Sequence, residues 1–322
     1  MGEYKCSIIA DPKGNAWDFA KEVHRLLVEM GGKKYELNEE NVKRFRDGEI
    51  KPRIKDNLRR KNCFFIHDST KKPADWFLEL ALMLETMQNS SAQEITAVLP
   101  YLRFSRQDRK DESRVPISTQ VVAGMIEKYA DRVLTLDVHN PAIQNAYHIP
   151  LDNLYSFATA VTYLKEKHPE FLENLVVMSP DAGGVDRAEA FAKRVGTERA
   201  VYGSKRRKES GEVKNLEIVG DVAGCNVLVV DDIIDSGGTL VRASAAARER
   251  GAKRVGAYAA HGIFTEGIDK ITKCLDLVVV GDSVVLPEVR KSGKIEVISF
   301  AKLFAEAISR ISEGESLSEL FD

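Results

Sequence analysis

The sequence predicts an α/β fold of two related domains, each a mainly parallel sheet flanked by helices. Three observations predict it: short β-branched runs that close on polar residues, longer amphipathic stretches between them, and the return of that rhythm in the second half of the 322-residue chain. In the first half, "CSIIAD" (6–11), "CFFIHDS" (63–69), "ITAVLPY" (95–101) and "RVLTLDVH" (132–139) read as strands buried on both faces, as parallel strands are. Between them "DWFLELALMLETMQNSSA" (75–92) and "STQVVAGMIEKYA" (118–130) place apolar residues at helical spacing. A joint is expected near "IPLDNLYS" (149–156), dividing the chain into domains of residues 1–153 and 154–322.

The second half repeats the pattern. "NLVVMSPD" (174–181), "NVLVVDD" (226–232), "RVGAYAAHGIF" (254–264) and "DLVVVGDS" (276–283) are its strands. "VDRAEAFAKRV" (185–195) and "TLVRASAAARERG" (239–251) are its helices, the latter stopped by Gly251 in the manner of a C-cap. The charged stretch "SKRRKESGEVKN" (204–215) reads as a mobile loop or a hairpin. The closing segment "KLFAEAISRISEGESLSELFD" (302–322) reads as a helix that packs back on the first domain. No residue-level repeat links the halves, so the duplication is architectural.

Composition narrows the function. A formal charge of −2 argues against nucleic acid, which calls for a basic excess or stripe. Cys6, Cys63, Cys225 and Cys274 are widely spaced with no CxxC pair, which indicates neither a zinc site nor a disulfide framework and suits reduced, buried thiols in a cytoplasmic protein. The N-terminal "MGEYKCSIIADPKG" is broken by charge and proline before a signal-peptide core forms, Cys6 stands where a myristoylation signal has Ser or Thr, and no apolar run reaches membrane-spanning length.

The chemistry concentrates in "VLVVDDIIDSGGTL" (227–240), where an apolar strand runs into three carboxylates and then a Gly-Gly-Thr turn. In parallel sheets ligands collect at the carboxyl ends of strands, and a Gly-rich turn entering a helix aims backbone N–H groups at an anion. Gly237 and Gly238 admit a phosphate close to the backbone, with Ser236 and Thr239 supplying hydroxyls. Asp231, Asp232 and Asp235 would repel that phosphate unless they hold sugar hydroxyls or Mg2+. A sugar phosphate satisfies both halves of the motif. As a bare strand-turn-helix boundary, the same stretch would need fewer acids.

That motif resembles the phosphoribosyl-pyrophosphate site of type I phosphoribosyltransferases, and the chain as a whole resembles the ribose-phosphate pyrophosphokinase family with that fold. The resemblance runs through "RFRDGE" (44–49), "FSRQDRKDESRVPIS" (104–118), "LTLDVH" (134–139), "VMSPDAGG" (177–184), "YGSKRR" (202–207), "AAHGIF" (259–264) and "GESLSELF" (314–321) in order. It implies a Mg2+-dependent transfer of the diphosphoryl group of ATP to the C1 hydroxyl of ribose 5-phosphate, with ATP held by the N-terminal domain and the sugar phosphate by the C-terminal one. It implies that Phe45, Asp47 and Glu49 hold the purine across a subunit interface, and that Arg106 and Gln107 contact ATP. It places His139 and Asp181 at Mg2+ and His139 at the nucleotide phosphates, makes Lys205 and Arg207 the catalytic cations of a closing loop, and counts His139 with them as catalytic. Taken without the family, Phe45 reads as packing, "SRQDRKDESR" as a solvated charged loop and Lys205 to Lys208 as a surface basic run. The resemblance also implies a cytoplasmic homo-oligomer, dimer-based or hexameric.

Two stretches depart from the family's pattern. Asn57-Leu58-Arg59-Arg60 stands where regulated members have Ser-x-Arg-Gly, and Asn145, Ala146 and Tyr147 replace a Gly and aromatic pair. Both border subunit contacts and the allosteric nucleotide site in the resembling enzymes, so ADP feedback and phosphate activation are not carried over. Two other functions compete: a non-catalytic associated subunit of the family, which should show a disrupted Lys-x-Arg loop, and a phosphoribosyltransferase, which would leave the N-terminal nucleotide landmarks without use.

Overall fold

The structure, a computed structural model, describes residues 5–31, 34–207, 213–284 and 286–320, with backbone alone at 205–207 and 213–215. The chain forms two compact units, Met1–Tyr155 with Ser299–Asp322, and Ser156–Ile298.

The first unit begins with β1 (Cys6–Ala10), buried along its whole length, and α1 (Trp17–Gly31), whose apolar face is Phe19, Ala20, Val23 and Leu27. β2 (Tyr35–Arg44) lies parallel to β1 and turns back antiparallel as β3 (Ile50–Ile54). β4 (Asn62–Ile66), α2 (Pro73–Asn89), β5 (Glu94–Leu99), α3 (Ser118–Glu127), β6 (Arg132–Leu136) and β7 (Leu151–Leu154) follow. Pro73 opens α2 at the first helical position, where its missing N–H has no partner to lose. The seven strands lie in the order β3-β2-β1-β4-β5-β6-β7, all parallel except β3.

The second unit opens with two helices, α4 (Phe157–Lys167) and the short α5 (Pro169–Leu172). Then come β8 (Leu175–Ser179), α6 (Val185–Val195), β9 (Ala200–Arg207), β10 (Val213–Val219), β11 (Asn226–Ile234), α7 (Gly238–Glu249) and β12 (Arg254–Gly262). α8 (Asp269–Cys274), β13 (Leu277–Gly281), α9 (Pro287–Ser292) and β14 (Glu296–Ile298) complete it. Its sheet has the order β10-β9-β8-β11-β12-β13-β14, and only β10 is antiparallel. Position for position this is the topology of the first sheet, so the duplication is one of fold without recognisable sequence repeat. In both sheets the chain winds outward one way from its first strand, then returns to wind the other way, which creates a topological switch point between β1 and β4 and again between β8 and β11.

The central strands are apolar runs because helices cover both faces, and each unit has its own core: Trp76, Leu80 and Met83 of α2 among those in the first, Leu240, Ala243 and Ala247 of α7 among those in the second. α10 (Ala301–Glu313) follows β14 and packs on α1 in the first unit, with the Phe19 and Phe304 rings edge to face at 5.4 Å. Tyr35 and Ser312 hydroxyls meet at 2.7 Å and Lys34 pairs with Glu313, which seals the same seam.

Several elements differ from the sequence reading. The stretch read as a joint at 149–156 contains β7, the last strand of the first sheet. The 132–139 strand stops at Leu136, because Asp137 takes a positive φ of 38° and turns the chain. α1, α4 and the paired strands β2 and β3 carry enough charge to hide their apolar spacing. The charged 204–215 stretch supplies the arms of the β9–β10 hairpin. Among the described residues no helix is long and apolar enough to cross a membrane.

Candidate active site

In the second unit the switch-point crevice is built by β8 and β11. β11 carries Asp231 and Asp232 at its carboxyl end, and the Arg187 guanidinium from α6 bridges them, with Nη1 3.1 Å from Asp231 Oδ1 and 2.9 Å from Asp232 Oδ1. Asp232 is 3% exposed, so its charge depends on that partner. Burial and the neighbouring Asp232 charge push the Asp231 carboxyl well above the usual carboxylate range despite Arg187. Two adjacent acids sharing one cation make a site that gains from a further donor, whether a hydroxyl or a metal ion.

The turn beyond them is shaped for an anion. Gly237 adopts φ 76°, and a Cβ there would fall 2.4 Å from Ile271 Cγ1, so no other residue fits without displacing α8. It delivers the chain into α7, a twelve-residue helix whose first amides face out of its N-terminus. The hydroxyls of Ser236 and Thr239 flank those amides, Ser236 Oγ lying 3.4 Å from the Gly238 nitrogen and Thr239 Oγ1 3.4 Å from Arg242 Nη2. Asp235 is held at the turn by Thr265, whose hydroxyl donates to Oδ1 at 2.6 Å. All seven residues read from the sequence as the sugar-phosphate motif therefore lie on one strand-turn-helix unit.

Across the crevice Asp181 follows β8 and caps a short turn at Ala182–Gly184, its Oδ1 accepting from the Gly183 N–H at 3.1 Å. A carboxylate at a strand's carboxyl end is a fitting donor for a hard cation such as Mg2+. Lys205 and Arg207 fall on β9 beside β8, opposite Leu216 and Val213 of β10; their side chains lie outside the described residues.

In the first unit the sequence-predicted residues occupy two places. Phe45, Asp47 and Glu49 form the tip of the β2–β3 hairpin, closed by the Phe45 N–H on the Glu49 carbonyl at 2.8 Å and by the Glu49 N–H on Asp47 Oδ1 at 3.1 Å. The Phe45 ring is 41% exposed with Lys43 Nζ 5.0 Å from its centroid, unusual for a large aromatic and suited to stacking. Arg106, Gln107 and His139 gather at another corner, where Asn140 donates to Asp108 Oδ2 at 2.6 Å and joins the loop after β5 to the loop after β6. The Gln107 carbonyl also receives the Thr119 N–H at 3.2 Å, anchoring that loop to α3. His139 is exposed and stands three residues beyond the end of β6 rather than on it. Its imidazole nitrogen is a weaker choice for Mg2+ than Asp181, so carboxylate oxygen carries the metal fit. A cavity of about 110 Å3 lined by Asp108, Thr119, Gln120 and Asn145 adjoins this corner, with room for small polar groups and not for a whole nucleotide.

Arg187 was missed in the sequence. Its only signal was a basic residue one turn into the helix after "SPDAGG", in reach of the next strand if the sheet is parallel.

Comparison with known proteins places this geometry. Residues 13–129 match the family model of the N-terminal domain of ribose phosphate pyrophosphokinase, and residues 206–322 match the phosphoribosyl synthetase-associated domain. The chain is 43% identical over 289 residues to a ribose-phosphate pyrophosphokinase of Chlorobaculum tepidum, covering 89% of this chain and 88% of the relative. It is 42% identical over 310 residues to the protein of that name from Rhizobium meliloti, covering 94% and 99%. The crystal structure of phosphoribosylpyrophosphate synthetase from Mycobacterium smegmatis superposes with a TM-score of 0.85 at 28% identity, covering 96% of this chain and 99% of that one.

Proposed function

The chain belongs to the ribose-phosphate pyrophosphokinase family and is an enzyme of phosphoribosyl pyrophosphate synthesis, and from that premise we propose the following course for its reaction. ATP and ribose 5-phosphate are the substrates, the β,γ-diphosphoryl group moves to the C1 hydroxyl, and AMP leaves. The observation that carries this reading is the β11–α7 unit, where two acids bridged by Arg187 run directly into an anion-shaped turn. The 5-phosphate rests on the first amides of α7 with the Ser236 and Thr239 hydroxyls, while Asp231, Asp232 and Asp235 receive the ribose hydroxyls. On the nucleotide side Phe45 stacks on adenine, Asp47 and Glu49 accept from its exocyclic amine, and Arg106 and Gln107 hold the phosphates.

Transfer of a diphosphoryl group needs charge neutralised and oxygens aligned more than it needs a strong base. Lys205 and Arg207, on the β9 arm, stabilise charge that grows on the transferring group. In the second unit Asp181 would hold Mg2+, which when bound neutralises phosphate charge, and in the first unit His139 is the residue proposed to contact the nucleotide phosphates. The exposed Phe45 tip suits a purine pocket completed by a second copy of the chain, a homo-oligomer based on dimers or a hexamer. The buried free thiols Cys6, Cys63 and Cys225 fit a cytoplasmic setting, and neither nucleic acid nor membrane is called for.

The test is AMP formation from ATP and Mg2+ with and without ribose 5-phosphate, with the sugar product analysed for pyrophosphate at C1. Ribose-dependent AMP together with that product is expected. ADP in place of AMP would make the enzyme an ordinary kinase, and nucleotide binding without turnover would make the chain a regulatory subunit.

A further inference from the structure

The first unit has its own switch point, and the residues there are ones the reaction does not use. Asp11 follows β1, His67 follows β4, Glu40 lies on β2, Lys71 stands two residues before α2 and Glu79 lies within it. Glu40, His67 and Glu79 are 2%, 1% and 3% exposed. One ligand-capable atom from each lies within 4.8 Å of the others.

Two of these groups, His67 and Glu40, lack a fixed donor. His67 Nε2 lies 3.0 Å from the Trp76 carbonyl oxygen, which can only accept, so Nε2 carries the proton and Nδ1 presents a bare lone pair. That Nδ1 has no donor, and the Glu40 carboxyl meets only the neighbouring Glu79 carboxyl, with which it shares a proton. A histidine whose far nitrogen donates to a backbone carbonyl while the near one faces carboxylates is the arrangement of a metal ligand. The charges agree. Lys71 pairs with Asp11 Oδ2 at 2.9 Å and with Glu79 Oε1, while burial and the Glu79 charge hold the Glu40 carboxyl well above the usual carboxylate range, so the metal-free cluster keeps a proton between the two glutamates. A divalent cation that displaces this proton leaves three carboxylates, one ammonium and two metal charges, a neutral set in a place where water does not screen it.

We propose that Glu40, His67 and Glu79 form a binding site for a divalent transition-metal ion that ties β2, and with it the hairpin bearing Phe45, to β4 and α2. One imidazole and two carboxylates suit Zn2+, Mn2+ or Fe2+ better than Mg2+, which prefers all-oxygen shells and retained water. Bond lengths of about 2.0–2.2 Å to such an ion would draw the three donors slightly closer together than the 4.8 Å within which they now lie. The site is structural, separate from the Mg2+ of the proposed reaction, and does not depend on that reaction being correct.

The test uses the full chain, purified without added metal or chelator, assayed for metal by mass spectrometry, then stripped and titrated with Zn2+ or Co2+ in excess Mg2+. One Zn2+ per chain is expected to bind against Mg2+ competition. The Co2+ form should show one hyperfine-shifted, slowly exchanging imidazole N–H, from His67 Nε2 held on the Trp76 carbonyl. His67→Gln should lose both signals, and Asp181→Asn should keep them. Zn2+ well below one per chain, a Co2+ form without the shifted proton, or full retention in His67→Gln would each overturn the site. The first two need no variant, so a His67→Gln chain that fails to fold leaves the test intact, and a metal-free wild type would mean that a shared proton fills the cluster.

Discussion

One strand order produces a crevice between β1 and β4 in the first unit and between β8 and β11 in the second, yet the two are filled in opposite ways. The second is lined by partly buried Asp231 and Asp235, a glycine turn and a helix N-terminus. The first is packed with Glu40, His67 and Glu79, all buried, and a lysine that pairs two of its acids. The residues proposed for the nucleotide lie instead at the hairpin tip and in the loops after β5 and β6. The difference teaches that topology offers a ligand position without assigning one. What is placed at the strand ends decides whether it becomes a substrate site or an internal brace.

Removing the Lys205 cation should have the largest effect. Lys205→Ala is expected to lower turnover by about 10²–10³-fold with ATP-analogue affinity nearly unchanged, measured by single-turnover kinetics and equilibrium binding. Equal losses in both would move Lys205 from the reacting group to the ground state. Next, Arg187→Met leaves Asp231 and Asp232 without their shared partner, and unfolding free energy should drop by about 2 kcal/mol, below the ~3–5 of a fully buried broken pair because Arg187 is partly exposed. Denaturant titration reads this, and an unchanged midpoint would mean solvent already screens the pair.

Asp235→Asn should raise the apparent KM for ribose 5-phosphate about tenfold with kcat retained, and an unmoved KM would remove Asp235 from the sugar site. The raised Asp231 carboxyl gives a pH signature: its proton leaves only above the usual carboxylate range, and the ionised form accepts a sugar hydroxyl. Affinity for ribose 5-phosphate should therefore improve as pH rises through that shifted range, and an Asp231→Asn chain should lose this component. A pH profile identical in the variant would assign the dependence to the ligand's own phosphate. Least disturbing is a chemical probe of the closed unit. Burial pushes the Cys63 thiol up to about 12, so native-state alkylation at pH 8 should spare Cys63 and label the more exposed Cys274 first. Rapid labelling of Cys63 would show that the first unit's interior opens.

Most of the fold was legible because central parallel strands must be apolar on both faces, and runs such as "NVLVVDD" have no other use. The edge strands were not. β2 alternates buried Tyr35, Asn38 and Glu40 with more exposed residues, and four-residue β7 is too short to show a period. The acid and glycine-turn motif stood out because its seven residues fall within the nine positions Asp231–Thr239, and its bridging Arg187 did not, because it arrives from 44 positions away. The same holds for Glu40, His67 and Glu79, which only the meeting of β2, β4 and α2 brings together. Glu79 left one trace, a carboxylate on the buried side of an otherwise apolar helix.

The return of α10 to α1 also sets an order of events during synthesis. Ser156–Ile298 is a continuous stretch that leaves the ribosome whole and can close its own sheet. The first unit is interrupted by it. Until Ala301–Glu313 has emerged, Phe19 lacks its partner Phe304 and Tyr35 lacks Ser312. The part of the chain made first is therefore the last to finish, and a nascent chain stalled before residue 301 would expose the apolar face of α1 to chaperones.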